Sequence, residues 1–395
     1  MTAVAPDVLL PAEPLASAWV GMVGGGPIAR MTHQAAVDLG INLEILARSA
    51  DDPAVLAGAR HLLGPSDSLH ALRLLADRCE VLTLDDGQVP AEHLSALQQA
   101  GYTVRPRPEA VSCAQDRYQA RRLLKQAGFA VVPSLVVEEG GEGVIDAVRG
   151  FGEQWGWPLV MQARRPGSDR RVTHLVQDLG GSRDLFAARP PGGWGLEAHL
   201  PDARELTVLV ARRSSGETAV YPVVETLRHE GMRRELVMPA RVPADIAAAA
   251  TRLAKSVADG IDATGILAVE LFLTSTGELL VGELALRPHR SGLATVEATV
   301  ASQFHNHLRG VLDWPLGSTE MTASAAATVD VVGASSGADP ARYLPAALAV
   351  PGARVHLYGH RARPGRTLGH VTAVGGDQAE ALDTARAAAR LLLGP

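Results

Sequence analysis

The sequence predicts an α/β protein: a doubly wound N-terminal domain followed by a larger, strand-rich body. Three observations carry this expectation. An apolar run at 17–23 breaks into Gly24-Gly25-Gly26 and is followed by a helical stretch at 27–39, a stop at Gly40 and a second strand at 42–46. Strand-like runs and Ala-rich helical runs then alternate to the end of the chain. Near residue 270, two alternating apolar runs are joined by Thr274-Ser275-Thr276-Gly277-Glu278, which reads as a hairpin.

Composition narrows the class. Of 395 residues, 47% are hydrophobic, enough for several cores and too many for a disordered chain. The net charge of -6 argues against general nucleic-acid binding. The two cysteines, Cys79 and Cys113, lie far apart and form no metal-ligand spacing, so a reducing compartment is expected. No apolar run approaches the roughly 20 residues of a membrane span. Residues 1–14 carry Asp7 and Glu13 but no Lys or Arg, unlike a secretory signal. A cytoplasmic protein with no membrane and no nucleic-acid partner is expected.

Taken in order, the first domain (15–112) adds a helix at 66–77, a strand at 80–84, a helix at 91–100 and a short strand at 103–105. The opening glycines read as a tight turn rather than a dinucleotide site. They form GGGPIA, not GxGxxG, and Arg48 rather than an acid follows the second strand. The second unit (113–195) begins with a basic helix at 113–127, ended by Gly128, and an extended segment at 129–137. Strands at 159–163 and 172–176 flank a loop with Arg164, Arg165, Arg170 and Arg171, which could close over phosphates. The third unit (196–318) holds strands at 196–199, 205–211 and 219–224, then an Ala-rich helix at 243–259 and the hairpin. A helix at 296–312 carries His305 and His307, about 200° apart around its axis and so a poor shared metal site. The last unit (319–395) reads as a buried strand, a helix at 341–348, strands at 354–358 and 367–374, and a closing helix at 379–393. Between those two strands, Gly359 to Arg366 is a turn with His360, Arg361, Arg363 and Arg366, suited to phosphate.

The hairpin carries the sharpest chemistry. Folded about Thr276-Gly277, it sets Glu270 directly opposite Glu283. Alternation places Ile266, Ala268 and Phe272 on the face of Glu270, and Leu279, Val281 and Ala285 on that of Glu283. Facing carboxylates repel by up to about 1 kcal/mol, and a divalent cation between them removes that cost. Arg287, His289 and Arg290 follow at once, where an anion would sit.

These pieces, in this order, resemble the carboxyaminoimidazole ribonucleotide synthetase (PurK) family of ATP-grasp enzymes of purine synthesis. The segments that carry the resemblance are GGGPIARM, QDRYQARRLL, YPVVETLRHEG, GILAVELFL, GELALRPHRSG, SQFHNHLRGVLDWPLG and RPGRTLGHV. The resemblance implies an ATP-grasp fold: an α/β first domain, a lid subdomain, a large subdomain and a C-terminal strand-rich lobe. It implies ATP and magnesium as cofactors, bicarbonate activated as carboxyphosphate, an amine or ribonucleotide acceptor, and a homodimer.

By the same resemblance, Glu270 and Glu283 match the magnesium ligands, and Arg287 and His289 match the bicarbonate site. Glu197 begins the linker that reads adenine through main-chain groups near Ala198 and Leu200. Glu205 matches the acid on the ribose, and Arg117 a cation on the nucleotide phosphates. Asp169 matches an acid facing the acceptor, while Arg363 and Arg366 fall where the ribonucleotide phosphate is held.

Several positions depart from the family pattern. Gln162 stands where a phosphate-pairing lysine is expected, and Pro166 and Arg170 replace loop glycines. Ser168 replaces a tyrosine beside the acceptor. Gly282 replaces a metal-binding asparagine, and Arg290 puts a cation where an amide stood. His360 and Thr367 replace lysines of the last lobe. Charge alone predicts that Gln162→Lys strengthens nucleotide binding. Three readings follow: an ATP-dependent ligase of this type that activates bicarbonate or another carboxylate as an acyl phosphate and is open to a changed amine acceptor, an ordinary synthetase, or a weak or inactive paralogue with a binding or regulatory role.

Overall fold

The structure is a computed structural model and describes residues 17–137, 142–164, 173–186, 193–229, 233–334 and 337–394. The N-terminal unit runs β1 (Trp19–Val23), α1 (Pro27–Asp38), β2 (Asn42–Ala47), α2 (Pro53–Leu56), β3 (Arg60–Leu63), α3 (Leu69–Ala76), β4 (Val81–Leu84) and α4 (Ala91–Gln99). Its four strands form a parallel sheet in the order β3-β2-β1-β4, as the strand–glycine–helix opening implies. The expected strand at 103–105 reduces to one parallel bridge, Leu82 to Val104. Strand β3 was not foreseen; its RHLL lacks alternation and is largely exposed.

The glycine loop is a turn whose anion is internal. The Gly26 amide donates to Asp85 Oδ2 at 3.1 Å, so a carboxylate from the end of β4 occupies the N-terminus of α1. A Cβ at Gly25 would lie 2.8 Å from Asp52 Oδ2. Two carboxylates crowd the place a dinucleotide phosphate would need. Burial pushes the Asp85 carboxyl up, against the opposing charge of Arg287.

Next come α5 (Pro108–Gln115), α6 (Arg117–Gln126), β5 (Ser134–Val137), α7 (Glu142–Trp155), β6 (Leu159–Ala163), β7 (Thr173–Val176), α8 (Leu179–Phe186) and β8 (Trp194–Ala198). The single helix expected at 113–127 is broken at Asp116, which is extended (φ -110°, ψ 97°) and accepts from the amides of Tyr118 and Gln119. Asp116 is thus the N-cap of α6, and Arg117 opens that helix. Strands β5-β8-β6-β7 form an antiparallel sheet with Val148 and Phe151 of α7 in its core.

The remaining elements are β9 (Arg204–Arg212), β10 (Thr218–Val220), β11 (Val224–His229), β12 (Arg233–Met238), α9 (Ala244–Gly260), β13 (Gly265–Leu273), β14 (Leu279–Ala285), α10 (Thr295–Ala298), α11 (Gln303–Val311), β15 (Ala325–Val332), α12 (Leu344–Leu348), β16 (Ala353–Leu357), β17 (Thr367–Gly375) and α13 (Gln378–Leu392). The strand expected at 219–224 divides into β10 and the start of β11. The helix expected at 296–312 is also two: Thr299 is extended, and Ser302 caps α11 by accepting from the His305 amide. The last three strands do not stand apart. Among the described residues one sheet runs β14-β13-β9-β11-β12-β15-β17-β16, with β10 against β9. Helix α9 packs Ala250, Ala254 and Val257 against Val208, Val210 and Leu267 under one half, and α13 packs Ala381, Ala385 and Ala388 under the other.

Candidate active site

The hairpin pairs with a one-residue irregularity. Ala268 faces Ala285 and Val269 faces Leu284, but Leu271 faces Val281 and Leu273 faces Leu279. Glu270 therefore lies opposite Gly282 and Glu283 together, a β-bulge. This corrects the simple alternation. Leu279 and Val281 fall on the opposite face from Glu283, in the core with Leu271 and Leu273. The extra residue turns Glu283 into the same cleft as Glu270, Phe272 and Ala285. Gly282 is the residue that allows it: a Cβ there would lie 2.7 Å from Cε2 of Phe272.

The cleft has a volume of about 1590 Å³ and is bounded by the N-terminal unit, the β5–β8 sheet and the large sheet. Arg117, Gln162, Glu197, Ala198, Leu200, Glu205, Glu270, Glu283, Arg287 and His289 all line it. His360, Arg363 and Arg366 are not among the described residues lining it. Arg366 instead donates to Nδ1 of His360 at 2.7 Å. Burial and then Arg366 hold the His360 ring below its usual range, against Asp52. Ser168, Asp169 and the arginines 165, 170 and 171 lie outside the described residues. Arg164 pairs with Asp116 at 2.8 Å.

Two charged groups behave differently from their sequence assignment. Glu197 turns its carboxylate inward, 3.2 Å from Arg117 and 3.1 Å from Arg121, and accepts from Gln162 Nε2 at 2.5 Å. Burial alone would raise its pKa, but Arg121 and then Arg117 outweigh that and hold it below the carboxylate range. Arg290 turns away from the hairpin to donate to Asp330 at 2.8 Å and to Thr367 at 3.2 Å. Its cation thus stands beside one of the positions where the family pattern has lysine.

At the other end of the cleft the geometry of His289 is set by its backbone. Gln303, buried at the start of α11, accepts from the His289 amide at 2.8 Å and donates to its carbonyl at 2.7 Å. His289 Nδ1 accepts from the Ser291 amide, which leaves Nε2 as the protonated nitrogen of the neutral ring. Nε2 lies 3.7 Å from Glu270 Oε1. Arg117 reaches Glu283 at 2.7 Å from the opposite side. Among the described residues no group of three or more His, Cys, Asp or Glu side chains is placed to hold a metal. Two carboxylates at a bulge fit magnesium nonetheless, because that ion commonly takes one or two carboxylates and completes its shell with phosphate and water.

Sequence reasoning overlooked Asp85, Arg121 and Tyr118, and it placed Phe272 on the face of Glu270 without giving it a role. Arg121 was findable from its i,i+4 spacing to Arg117 on one helix. Asp85 was findable as an acid just beyond a parallel strand, where α/β sheets bind ligands.

Comparison with known proteins gives one consistent answer. Three family profiles match: a ribonucleotide synthetase preATP-grasp domain at 18–115, an ATP-grasp domain at 122–304, and a phosphoribosylaminoimidazole carboxylase C-terminal domain at 326–384. The N5-carboxyaminoimidazole ribonucleotide synthase of Mycobacterium bovis is 41% identical over 94% of this chain and 87% of its own length. That of Corynebacterium ammoniagenes is 34% identical over 98% and 94%. Among solved structures, the Thermus thermophilus synthetase shares 30% identity with a TM-score of 0.83, over 95% of this chain and 99% of that one. The Aspergillus clavatus synthase in complex with ADP and 5-aminoimidazole ribonucleotide shares 27% identity with a TM-score of 0.86, over 95% and 98%. With its ATP-grasp fold, its paired hairpin carboxylates and relatives matched along nearly their whole length, the chain belongs to the N5-carboxyaminoimidazole ribonucleotide synthase family of ATP-grasp ligases.

Proposed function

We propose that this protein uses ATP and magnesium to activate bicarbonate and join it to the amine of 5-aminoimidazole ribonucleotide. The observation that carries the reading is the hairpin bulge, which turns Glu270 and Glu283 into one cleft with Arg117, Arg287 and His289. Bicarbonate is a poor electrophile, and magnesium-bound ATP supplies the phosphoryl group that gives it a leaving group. Glu270 and Glu283 hold the ion. Arg117 meets the nucleotide phosphates, and Ala198 and Leu200 face the base while Glu205 faces the ribose. Arg287 balances the anionic bicarbonate, and His289 Nε2 carries a proton toward its oxygens. Ser168 and Asp169 are assigned to the acceptor, with His360, Arg363 and Arg366 for its phosphate.

A second reading, a changed acceptor, is favoured by the His360–Arg366 bond, which engages two of the phosphate-facing groups with each other. The same reading carries a homodimer in the cytoplasm. Val296 of α10 and the nearby Val300 are exposed apolar groups on an outer surface, and light scattering checks the mass. The central test is phosphate release from ATP with magnesium and bicarbonate, with and without 5-aminoimidazole ribonucleotide. Stimulation by the ribonucleotide is expected, with Glu270→Gln and Glu283→Gln each slowing it by about 10²–10³-fold. No stimulation, with stimulation by another amine, selects the changed acceptor. No release with any acceptor removes the enzymatic reading.

A further inference from the structure

Glu197 is the centre of a buried cluster whose two cations are held in different ways. Arg121 has a side chain only 3% exposed, against 16% for Arg117. Its Nε donates to the Gly282 carbonyl at 2.9 Å and its Nη2 to Glu197 Oε2 at 3.2 Å. Its Nη1 is buried 3.1 Å from Glu197 Oε1, but out of line, so it has no hydrogen-bond acceptor among the described residues. The guanidinium also lies 5.9 Å from the Tyr118 ring. Arg121 is therefore fixed. Arg117 opens helix α6 at the cleft, with one nitrogen on Glu197 and the other on Glu283. Its position lets it exchange partners. Gln162 donates to both Glu197 and the Tyr118 hydroxyl but brings no charge.

We infer that Arg121 is the permanent countercharge of Glu197, and that it thereby leaves Arg117 available to the phosphates of a nucleotide in the cleft. A buried carboxylate must keep a cation or lose its charge. Without Arg121, the only guanidinium left to Glu197 in this cluster is Arg117, and the neutral Gln162 cannot replace it. Arg121 is then a positioning residue that acts through Arg117 and touches no ligand itself. The inference rests on the nucleotide reading of the cleft.

The test is ADP binding by calorimetry to the full chain, with adenosine as a ligand that lacks phosphate. Arg121→Gln is expected to weaken ADP about 10-fold or more and to leave adenosine unchanged. Two second changes are expected to restore ADP binding to within about threefold. Glu197→Gln removes the charge that captures Arg117, and Gln162→Lys returns a cation to the cluster. A purely structural role would move adenosine as well and would not be rescued from either side. Should Arg121→Gln not fold, the Arg121→Gln/Glu197→Gln protein, with the native net charge and no new cation to meet phosphate, carries the test: near-native ADP affinity supports the inference, and loss overturns it. Native ADP affinity in Arg121→Gln, or a loss that neither change repairs, overturns it while leaving the ATP reading intact. Wild-type protein that binds no ADP overturns both.

Discussion

Restoring asparagine at position 282 is the natural repair of the hairpin, and the structure predicts that it fails alone. A Cβ at Gly282 would lie 2.7 Å from Phe272 Cε2, 3.1 Å from its Cδ2 and 3.4 Å from the Glu270 carbonyl. The first of these is closer than packed carbons tolerate. Overpacking of this kind costs about 1–3 kcal/mol. The Phe272 ring lines the cleft rather than a closed core, so it can turn, and the lower end, about 1 kcal/mol, applies. For a cooperative unit of about 200 residues that lowers Tm by about 2–4 °C. The turned ring then stands where the new amide would need to reach an ion. Gly282→Asn should therefore lose a few degrees of stability and leave Mn2+ affinity at its native value. Adding Phe272→Leu should return the stability and tighten Mn2+. Thermal melts and Mn2+ titration followed by electron spin resonance read both quantities. A single Gly282→Asn protein with native Tm and tighter Mn2+ binding would refute the steric argument.

Three further outcomes follow from geometry already described. Gln303→Leu removes both hydrogen bonds that hold the His289 backbone, so it should lower kcat about 10-fold or more while KM for ATP changes less; steady-state kinetics separate the two, and an unchanged kcat would sink the assignment. A Cβ at Gly195 would lie 1.9 Å from the Tyr118 hydroxyl, so Gly195→Ala should cost about 3 kcal/mol in urea unfolding and weaken ADP by displacing the ring that bonds Glu197. His307 is fully buried and its pKa is pushed down to about 3, so it is neutral in the fold but protonates in the unfolded chain below its ordinary value of 6.5. Its contribution is complete above pH 6.5 and is lost as pH falls from there toward 3, by roughly 3 kcal/mol at pH 4.5. Unfolding free energies of wild type and His307→Gln across that window should diverge by about one proton's slope, and parallel curves would count against it.

What could be read from residues alone depended on range. The glycine turn, the parallel opening and the hairpin are local patterns, and each is found within a residue or two of its expected place. The two helices that proved to be broken show why local patterns mislead. The stretches 113–127 and 296–312 keep helical character throughout, yet Asp116 and Ser302 each bond the amides that follow and start a new helix. In both cases the capping residue was visible, but propensity favoured continuity. The bulge was hidden for another reason. Simple alternation gave the correct partner for Glu270 at the base of the hairpin and the wrong face for Leu279 and Val281 at its tip. Only the register of the paired strands, which shifts between Val269 and Leu271, reveals the extra residue. The Glu197 cluster draws on α6, β6 and β8, so beyond the i,i+4 pair of arginines on α6 no spacing in the chain announces it. The meeting of Arg290 with Asp330 and Thr367 likewise depends on a sheet that joins segments 77 residues apart.

That shared sheet bears on how the protein could be divided. Strand β12 bonds to β15 from Glu235–Val329 to Met238–Ala326, so a chain cut in the segment between α11 and β15 would leave each piece with a bare strand edge. The larger fragment would expose the β12 ladder and the apolar surface beneath it, and the smaller would keep α13 on a three-stranded remnant. Neither edge is protected, and each is the complement of the other. The two pieces should aggregate when made apart and re-form the sheet when made together, a natural seam for a split-protein reporter.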